Sequence, residues 1–266
     1  MGLYQRGNVW WIDFRHNGQR YRESTRARDN QGKEHVLAPY DYKAYILDED
    51  FDFTSAAISS GGIVGTKFRA QTSGAGATVS RPDAQTTVSN HIGILQLQTG
   101  TTTTGYAQAY GPAAFVNYPI IPGSWEMCEW IVRVPTLSTG TERFIASAGT
   151  TNTGTGSTMS NGLSFQYSDN VNGGAWTINV GGGIFNTSIT VVAGTWYRLT
   201  YIMNAGCNNA WFNINGALVQ TLTSASLPTA GSGGYCIAAF ITKTAGTTSR
   251  NFDCDRVFYK SILTRT

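Results

Sequence analysis

From about residue 48 onward, apolar and polar side chains alternate in short runs, and Gly, Thr, Ser and Asn fill the gaps between them. The runs GILQLQTG, GSWEMCEWIVRVP, ERFIASAG, GLSFQYSD, GAWTINVGG, TWYRLTYIMN, NAWFNINGALVQTL, GYCIAAFIT and FDCDRVFYKSIL each predict a short strand. In TWYRLTYIM, Tyr197, Leu199, Tyr201 and Met203 alternate with Trp196, Arg198 and Thr200, which gives one buried side. The Asn215-Gly216 dipeptide predicts a tight hairpin, because a type I′ turn needs positive φ at both central residues. Its register sets Phe212, Ile214, Ala217 and Val219 on the core face, and Trp211, Asn213 and Gln220 on the other. No segment carries a convincing helical period. Strands at this regular spacing predict an all-β, antiparallel two-sheet sandwich over residues 48–266.

Residues 1–47 read as a separate basic module built on the stretch WWIDFRHNGQRYREST. Asn17-Gly18 predicts a two-residue turn, and that turn pairs Phe14 with Tyr21, Asp13 with Arg22 and Arg15 with Arg20. One face then carries Trp10, Ile12, Phe14 and Tyr21; the other carries Trp11, Asp13, Arg15, Arg20 and Arg22. Opposed arginines are unfavourable unless an anion, a phosphate or a partner's carboxylate, lies between them. An isolated two-stranded hairpin is marginal in water, so this one is expected to dock its aromatic face on something.

Composition narrows the classes. The 266 residues are 41% hydrophobic and 12% aromatic, enough for a core, while charged residues are 13%, about half the usual share. The net charge of +3 supplies no whole-molecule field for holding nucleic acid, so nucleic acid is disfavoured as a partner and any DNA contact would be local to the hairpin. The N-terminus lacks the apolar stretch of a secretory signal, and no run is long enough to cross a bilayer. Cys128, Cys207, Cys236 and Cys254 contain no C-x-x-C pair and read as buried free thiols.

No catalytic residues are expected from the sequence. Glu126 and Glu129 stand three apart on a strand and point to opposite faces, so they cannot share a substrate. Asp253 and Asp255 share a face in simple alternation; a structural role is the expectation, with a cation site or an acid pair the alternative. The acidic run with Asp48, Glu49, Asp50 and Asp52 matches no calcium loop and reads as a solvated junction. His16, His35 and His91 are scattered and form no triad. The glycine clusters SSGGIVG and VGGGIF read as turns, and the loop around residues 149–162 reads as a mobile tip. No metal and no cofactor is expected. Trp176, Trp196 and Trp211 are candidate contacts for a glycan or a neighbouring subunit.

The order GTWYRL, FNINGALV, FDCDRVFYKSIL resembles that of a concanavalin A-like or laminin-G-like jelly roll. The neighbouring TERFIASAG, GLSFQYSDNVNGGAWTINV and RPDAQTTVSNHIGILQLQTGTTTTGYAQAY are similar to domains of tailed-bacteriophage structural proteins. The opening hairpin has a weaker likeness to the arm-binding domain of phage integrases, although nothing after it resembles a recombinase. The resemblance implies a non-enzymatic virion protein, either a capsid decoration or head fibre or a tail-fibre component, assembled in the host cytoplasm. It implies other virion proteins as partners and a homo-oligomer, by analogy a trimer. Attachment to the particle falls to Trp10, Ile12, Phe14, Arg15, Arg20, Tyr21 and Arg22. The alternatives are a module that binds a host surface glycan and, behind it, a DNA-binding protein that uses the hairpin.

Overall fold

The computed structural model describes residues 2–6, 9–16, 19–25, 42–51, 63–64, 68–81, 93–111, 124–151, 162–168, 172–227 and 236–264. The chain divides into two compact units, Met1–Lys43 and Ala44–Thr264.

The first unit is a three-stranded antiparallel sheet of β1 (Gly2–Arg6), β2 (Val9–His16) and β3 (Gln19–Thr25), in that order. Its β2–β3 register pairs Phe14 with Tyr21, Asp13 with Arg22 and Arg15 with Arg20, as the Asn-Gly spacing requires. The turn at Asn17-Gly18 itself lies outside the described residues. The sequence reading stopped at a hairpin. Strand β1 adds a third strand by pairing Leu3 with Ile12 and Gln5 with Trp10, and the five residues GLYQR are too short to show an alternation of their own.

The second unit is a sandwich. Its strands are β4 (Tyr42–Glu49), β5 (Ile63–Val64), β6 (Phe68–Ser73), β7 (Ala77–Ser80), β8 (Leu95–Thr99), β9 (Tyr106–Gly111), β10 (Ser124–Arg133), β11 (Arg143–Thr151), β12 (Leu163–Ser168), β13 (Ala175–Val180), β14 (Gly183–Thr190), β15 (Trp196–Met203), β16 (Asn209–Ile214), β17 (Ala217–Thr223), β18 (Cys236–Ala245) and β19 (Asn251–Thr264). Sheet I runs β17-β16-β15-β10-β19-β8-β7, with β4 also paired to β19; sheet II runs β14-β13-β12-β11-β18-β9-β6-β5. Neighbours pair antiparallel. The chain makes two meanders, β11 to β14 in sheet II and β15 to β17 in sheet I, and its last two long strands enter the middle of each sheet. Helix is confined, among the described residues, to one 3-10 turn at Asn172–Gly174.

The core lies between the sheets, and aromatic pairs cross it. Phe165 of β12 meets Phe212 of β16 at 5.6 Å between ring centroids, and Trp176 of β13 meets Tyr197 of β15 at 5.6 Å. Phe51, Phe68 and Trp130 form a third cluster at 5.5–6.2 Å. All four cysteines are free and buried. Asn215 and Gly216 have φ of 52° and 84°, the paired positive values that the Asn-Gly hairpin demands.

Two bulges alter the predicted faces. In β17, Phe212 stands opposite Gln220 but Asn213 opposite Leu218, so Val219 is the extra residue and Gln220 moves to the side of Phe212. In β19, Val132 pairs with Cys254 and Ile131 with Arg256, so Asp255 is the extra residue relative to β10. The alternation that gave Asp253 and Asp255 a common face is broken there. Neither shift has a signature in an apolar–polar pattern, because each adds one residue within a run.

Trp176 tests the core assignment: Trp176→Ala is expected to lower unfolding free energy by about 3–5 kcal/mol. Urea titration followed by far-ultraviolet circular dichroism reads this directly, and a loss below about 1 kcal/mol would be incompatible with a packed core position.

Candidate functional site

The outer face of sheet I holds an ionised ladder. Register places Trp196, Arg133, Asp253 and Gln96 side by side across four strands. Arg133 donates through Nη2 and Nε to Asp253 Oδ2 at 2.6 and 3.0 Å, and Gln96 Nε2 donates to Oδ1 at 3.0 Å. Burial pushes the Asp253 carboxyl upward, while Arg133 and Gln96 oppose that shift by favouring its charged form. With its guanidinium held in this way, Arg133 stacks 4.7 Å from the centroid of the Trp196 ring.

Beside this ladder is a pocket of about 310 Å³ lined by Ile131, Trp196, Tyr197, Arg198 and Asn215. The turn positions Asn215: its Oδ1 accepts the Arg198 N–H at 2.8 Å, and its own N–H donates to the Arg198 carbonyl at 2.8 Å. Arg198 Nε lies 3.9 Å from Glu129 Oε2, which also accepts the Thr200 hydroxyl at 3.1 Å. The pocket thus combines an aromatic edge, an apolar wall, an amide and a half-exposed guanidinium, groups that suit a small polar ligand with an apolar face.

The three nominated tryptophans part company. Trp196 lines the pocket. Trp211 is half-buried, opposite Ile202 and Thr221, and is not among the lining residues. Trp176 is a correction: it is 0% exposed and packs against Tyr167 and Tyr197, so it contacts neither glycan nor subunit. Its place in GAWTINV, with Ile178 and Val180 following at period two, was the signal for an inward position. The attachment residues Trp10, Ile12, Phe14, Arg15, Arg20, Tyr21 and Arg22 are placed by backbone register alone. Asp48 and Asp50 meet Arg256, which donates to both oxygens of Asp48 at 2.8 Å and lies 3.5 Å from Asp50. The acidic junction has an arginine for its counter-ion. Asp52, His35, His91 and the tip at 152–161 lie outside the described residues.

Sequence reading missed the outer face of sheet II. One continuous row crosses seven strands there: Gln71, Gln108, Phe240, Ser147, Gln166, Thr177 and Asn186. All but Phe240 are uncharged hydrogen-bonding side chains. Gln108 Nε2 donates to Gln71 Oε1 at 2.6 Å, and the Thr177 hydroxyl donates to the Gln166 carbonyl at 3.1 Å. Fully buried Ser147 Oγ and, one row away, Asn179 Oδ1 have no hydrogen-bond partner among the described residues. The small polar residues between Ala146 and Ala148 and between Phe165 and Tyr167 looked like ordinary solvent-facing alternation, and register alone joins them.

The two carboxylates of β10 separate as expected. Glu129 faces outward beside Arg198, whereas Glu126 is 2% exposed. Burial raises Glu126 from 4.5 to about 8 against the opposing hydrogen bond of Tyr259. Burial also pushes the Cys236 thiol up to about 12 and raises the Cys128 and Cys254 thiols, so these are inert buried groups.

Residues 90–255 match the family described as SO2946-like, C-terminal domain, and residues 2–33 match the phage integrase N-terminal domain. Among solved structures, a protein of unknown function, SO2946 from Shewanella oneidensis MR-1, superposes with a TM-score of 0.58 at 14% identity, covering 84% of this chain and 88% of that one. Peanut lectin with a 9mer peptide gives 0.53 at 9% identity, covering 84% of this chain and 100% of that one. An endo-1,3-beta-glucanase from Streptomyces sioyaensis gives 0.51 at 12%, with 86% and 100% covered. At these identities the likeness is one of fold, and that fold serves a lectin and a glycosidase alike. The chain matches no curated protein.

Glu126 sets a pH dependence. Between about 4.5 and about 8 the unfolded chain releases this proton while the folded chain keeps it, so the contribution is full below 4.5 and is lost as pH rises to 8, at about 1.4 kcal/mol per unit. Melting temperature is expected to fall over that window, and Glu126→Gln is expected to flatten the fall. Parallel melting curves for the two proteins across pH 5–8 would rule the assignment out.

Proposed function

The chain belongs, through residues 90–255, to the SO2946-like C-terminal domain family, and from that premise we propose that it is a non-enzymatic structural component of a bacteriophage particle. The observation that carries this reading is the joining, in one chain, of a module matching the phage integrase N-terminal domain to a lectin-type sandwich. The N-terminal unit fastens the protein to other virion proteins through Trp10, Ile12, Phe14 and Tyr21, with Arg15, Arg20 and Arg22 meeting acidic groups on the partner. The sandwich is displayed from the particle as a homo-oligomer.

Residue chemistry supports assembly or binding over catalysis. Glycoside hydrolysis uses two carboxyl groups across the scissile bond. The row across sheet II offers amides, hydroxyls and one phenyl ring, and no acid or base. On sheet I, Asp253 is tied to Arg133 and Gln96, and Glu129 to Thr200 beside Arg198. These groups hold structure and leave no pair free to move protons.

A second reading, a host-glycan receptor-binding module of a tail fibre, is favoured by the Trp196 pocket, where an aromatic ring stands beside Asn215 and Arg198.

Antibody labelling of purified particles, with serum against residues 48–266, is expected to decorate either the shell or the tail periphery. Trp10→Ala combined with Phe14→Ala is expected to leave the sandwich folded but absent from particles; normal incorporation would remove the fastening role. For the second reading, a binding sugar is expected to change tryptophan emission in the wild type and not in Trp196→Ala. Unchanged wild-type emission across a broad glycan panel would end that reading.

A further inference from the structure

Among the described residues, four of the five large exposed apolar side chains lie on or just after β14 or on β17: Ile184 at 48%, Ile189 at 36%, Val192 at 56% and Leu218 at 58%. Strands β14 and β17 lie against each other there, and each ends its own sheet, β14 in sheet II and β17 in sheet I. Monomeric proteins guard such edges with charges, prolines or bulges. Neither GIFNTSIT of β14 nor ALVQTLT of β17 contains a charged residue or a proline. Bulges guard part of each. In β14, Ala175 pairs with Thr190 and Thr177 with Asn186, and Ser188 has a φ of 59°; in β17 the bulge is at Val219. The segment Gly183–Asn186 remains regular, in unbroken register with β13.

We propose that this side binds a second copy of the same chain by edge-to-edge strand pairing, β14 against its counterpart about a twofold axis. Geometry selects the occupant. Ile184 pairs across from Asn179 on the outer face of sheet II, whereas Leu218 pairs across from Asn213 on the outer face of sheet I. A single added strand covers one of them. Covering both takes a partner with two open edges at the same separation, and the chain itself has those edges. Charge agrees with this choice: the chain is net positive, so two copies repel where arginines meet, but these two strands bring no charge together. Antiparallel pairing of identical strands about a twofold also gives each copy's outward N–H and C=O groups a partner of the opposite kind. The inference rests on the fold and not on the phage or glycan reading. It predicts a dimer or a multiple of one, in place of the trimer that the phage resemblance implied.

Sedimentation equilibrium of the full chain is expected to give twice the chain mass. Ile184→Lys and Leu218→Lys, each adding a charge to an open edge, are expected to weaken the dimer at least about tenfold with an unchanged circular dichroism spectrum. Ile46→Lys, which adds the same charge at an exposed position on β4, is expected to leave it intact. If a lysine variant misfolds, hydrogen exchange on the wild type replaces it: protection of the outward-facing Ile184 and Asn186 amides must fall on dilution. A monomer at the highest soluble concentration, a three-chain mass, lysine variants that stay dimeric, or concentration-independent exchange would each overturn the proposal.

Discussion

Each sheet of this sandwich has one face that water cannot be allowed to reach, and the aromatic layer between the sheets is the interaction that settles where everything else goes. Phe165 with Phe212, and Trp176 with Tyr197, pair a residue of sheet II with one of sheet I. Rings of this size hold two sheets at roughly the 10 Å separation typical of a face-to-face pair. Once these side chains point inward, period two fixes the outward set on every strand. The Arg133–Asp253 pair, the Trp196 pocket and the Gln-Ser-Gln row are consequences of that partition. A one-residue slip in β12 would place Ser164 and Gln166 between the sheets and take Phe165 out of its contact with Phe212, which is why the register is stiffly specified.

The fold was legible because this partition is written as alternation. TWYRLTYIM gave its buried face correctly, and NG at 215–216 gave its turn. What the alternation does not carry is an insertion within a run. The extra residues Asp255 and Val219 reassign their neighbours without changing the composition of either strand. Cross-sheet register is equally silent in one sequence. Ser147 and Gln166 are nineteen positions apart and Gln166 and Thr177 eleven, and only strand pairing makes them adjacent. The Trp196 pocket was half legible: the tryptophan stood out, but Asn215 was read as a turn residue, and its amide oxygen reaches back to Arg198 only after β15 and β16 pair. Trp176 is of a residue type common at sugar sites, but its phase in GAWTINV is that of the core.

The two outer faces differ in a way that composition hides. Sheet I carries the ion pairs Arg133–Asp253, Arg198–Glu129 and Arg256–Asp48. Along its central row, sheet II carries none of these groups and relies on amides and hydroxyls. Only the first of these pairs is substantially buried, so it is the one whose breakage would leave an uncompensated charge in a low-dielectric place; the exposed Arg256 pair contributes little to stability. The division gives sheet I rigid, directional contacts around the pocket, and leaves sheet II with an uncharged row that is itself largely buried within the chain.

The uncharged edges have a physical implication of their own. Removing a charged group from water is costly, so a surface destined for burial against a partner is favoured when it has none. The 13% charged content is therefore not a uniform dilution: β14 and β17 are free of charge, while the described ion pairs cluster on the outer face of sheet I. A soluble monomer gains from spreading charge over its edges, since that blocks unwanted pairing. A chain that leaves both edges neutral on the same side, and flanks them with Ile184 and Leu218, gives up that protection where a copy of itself would restore the lost hydrogen bonds. In the proposed dimer, assembly would resolve the edge problem that the core, by ordering two open sheets, creates.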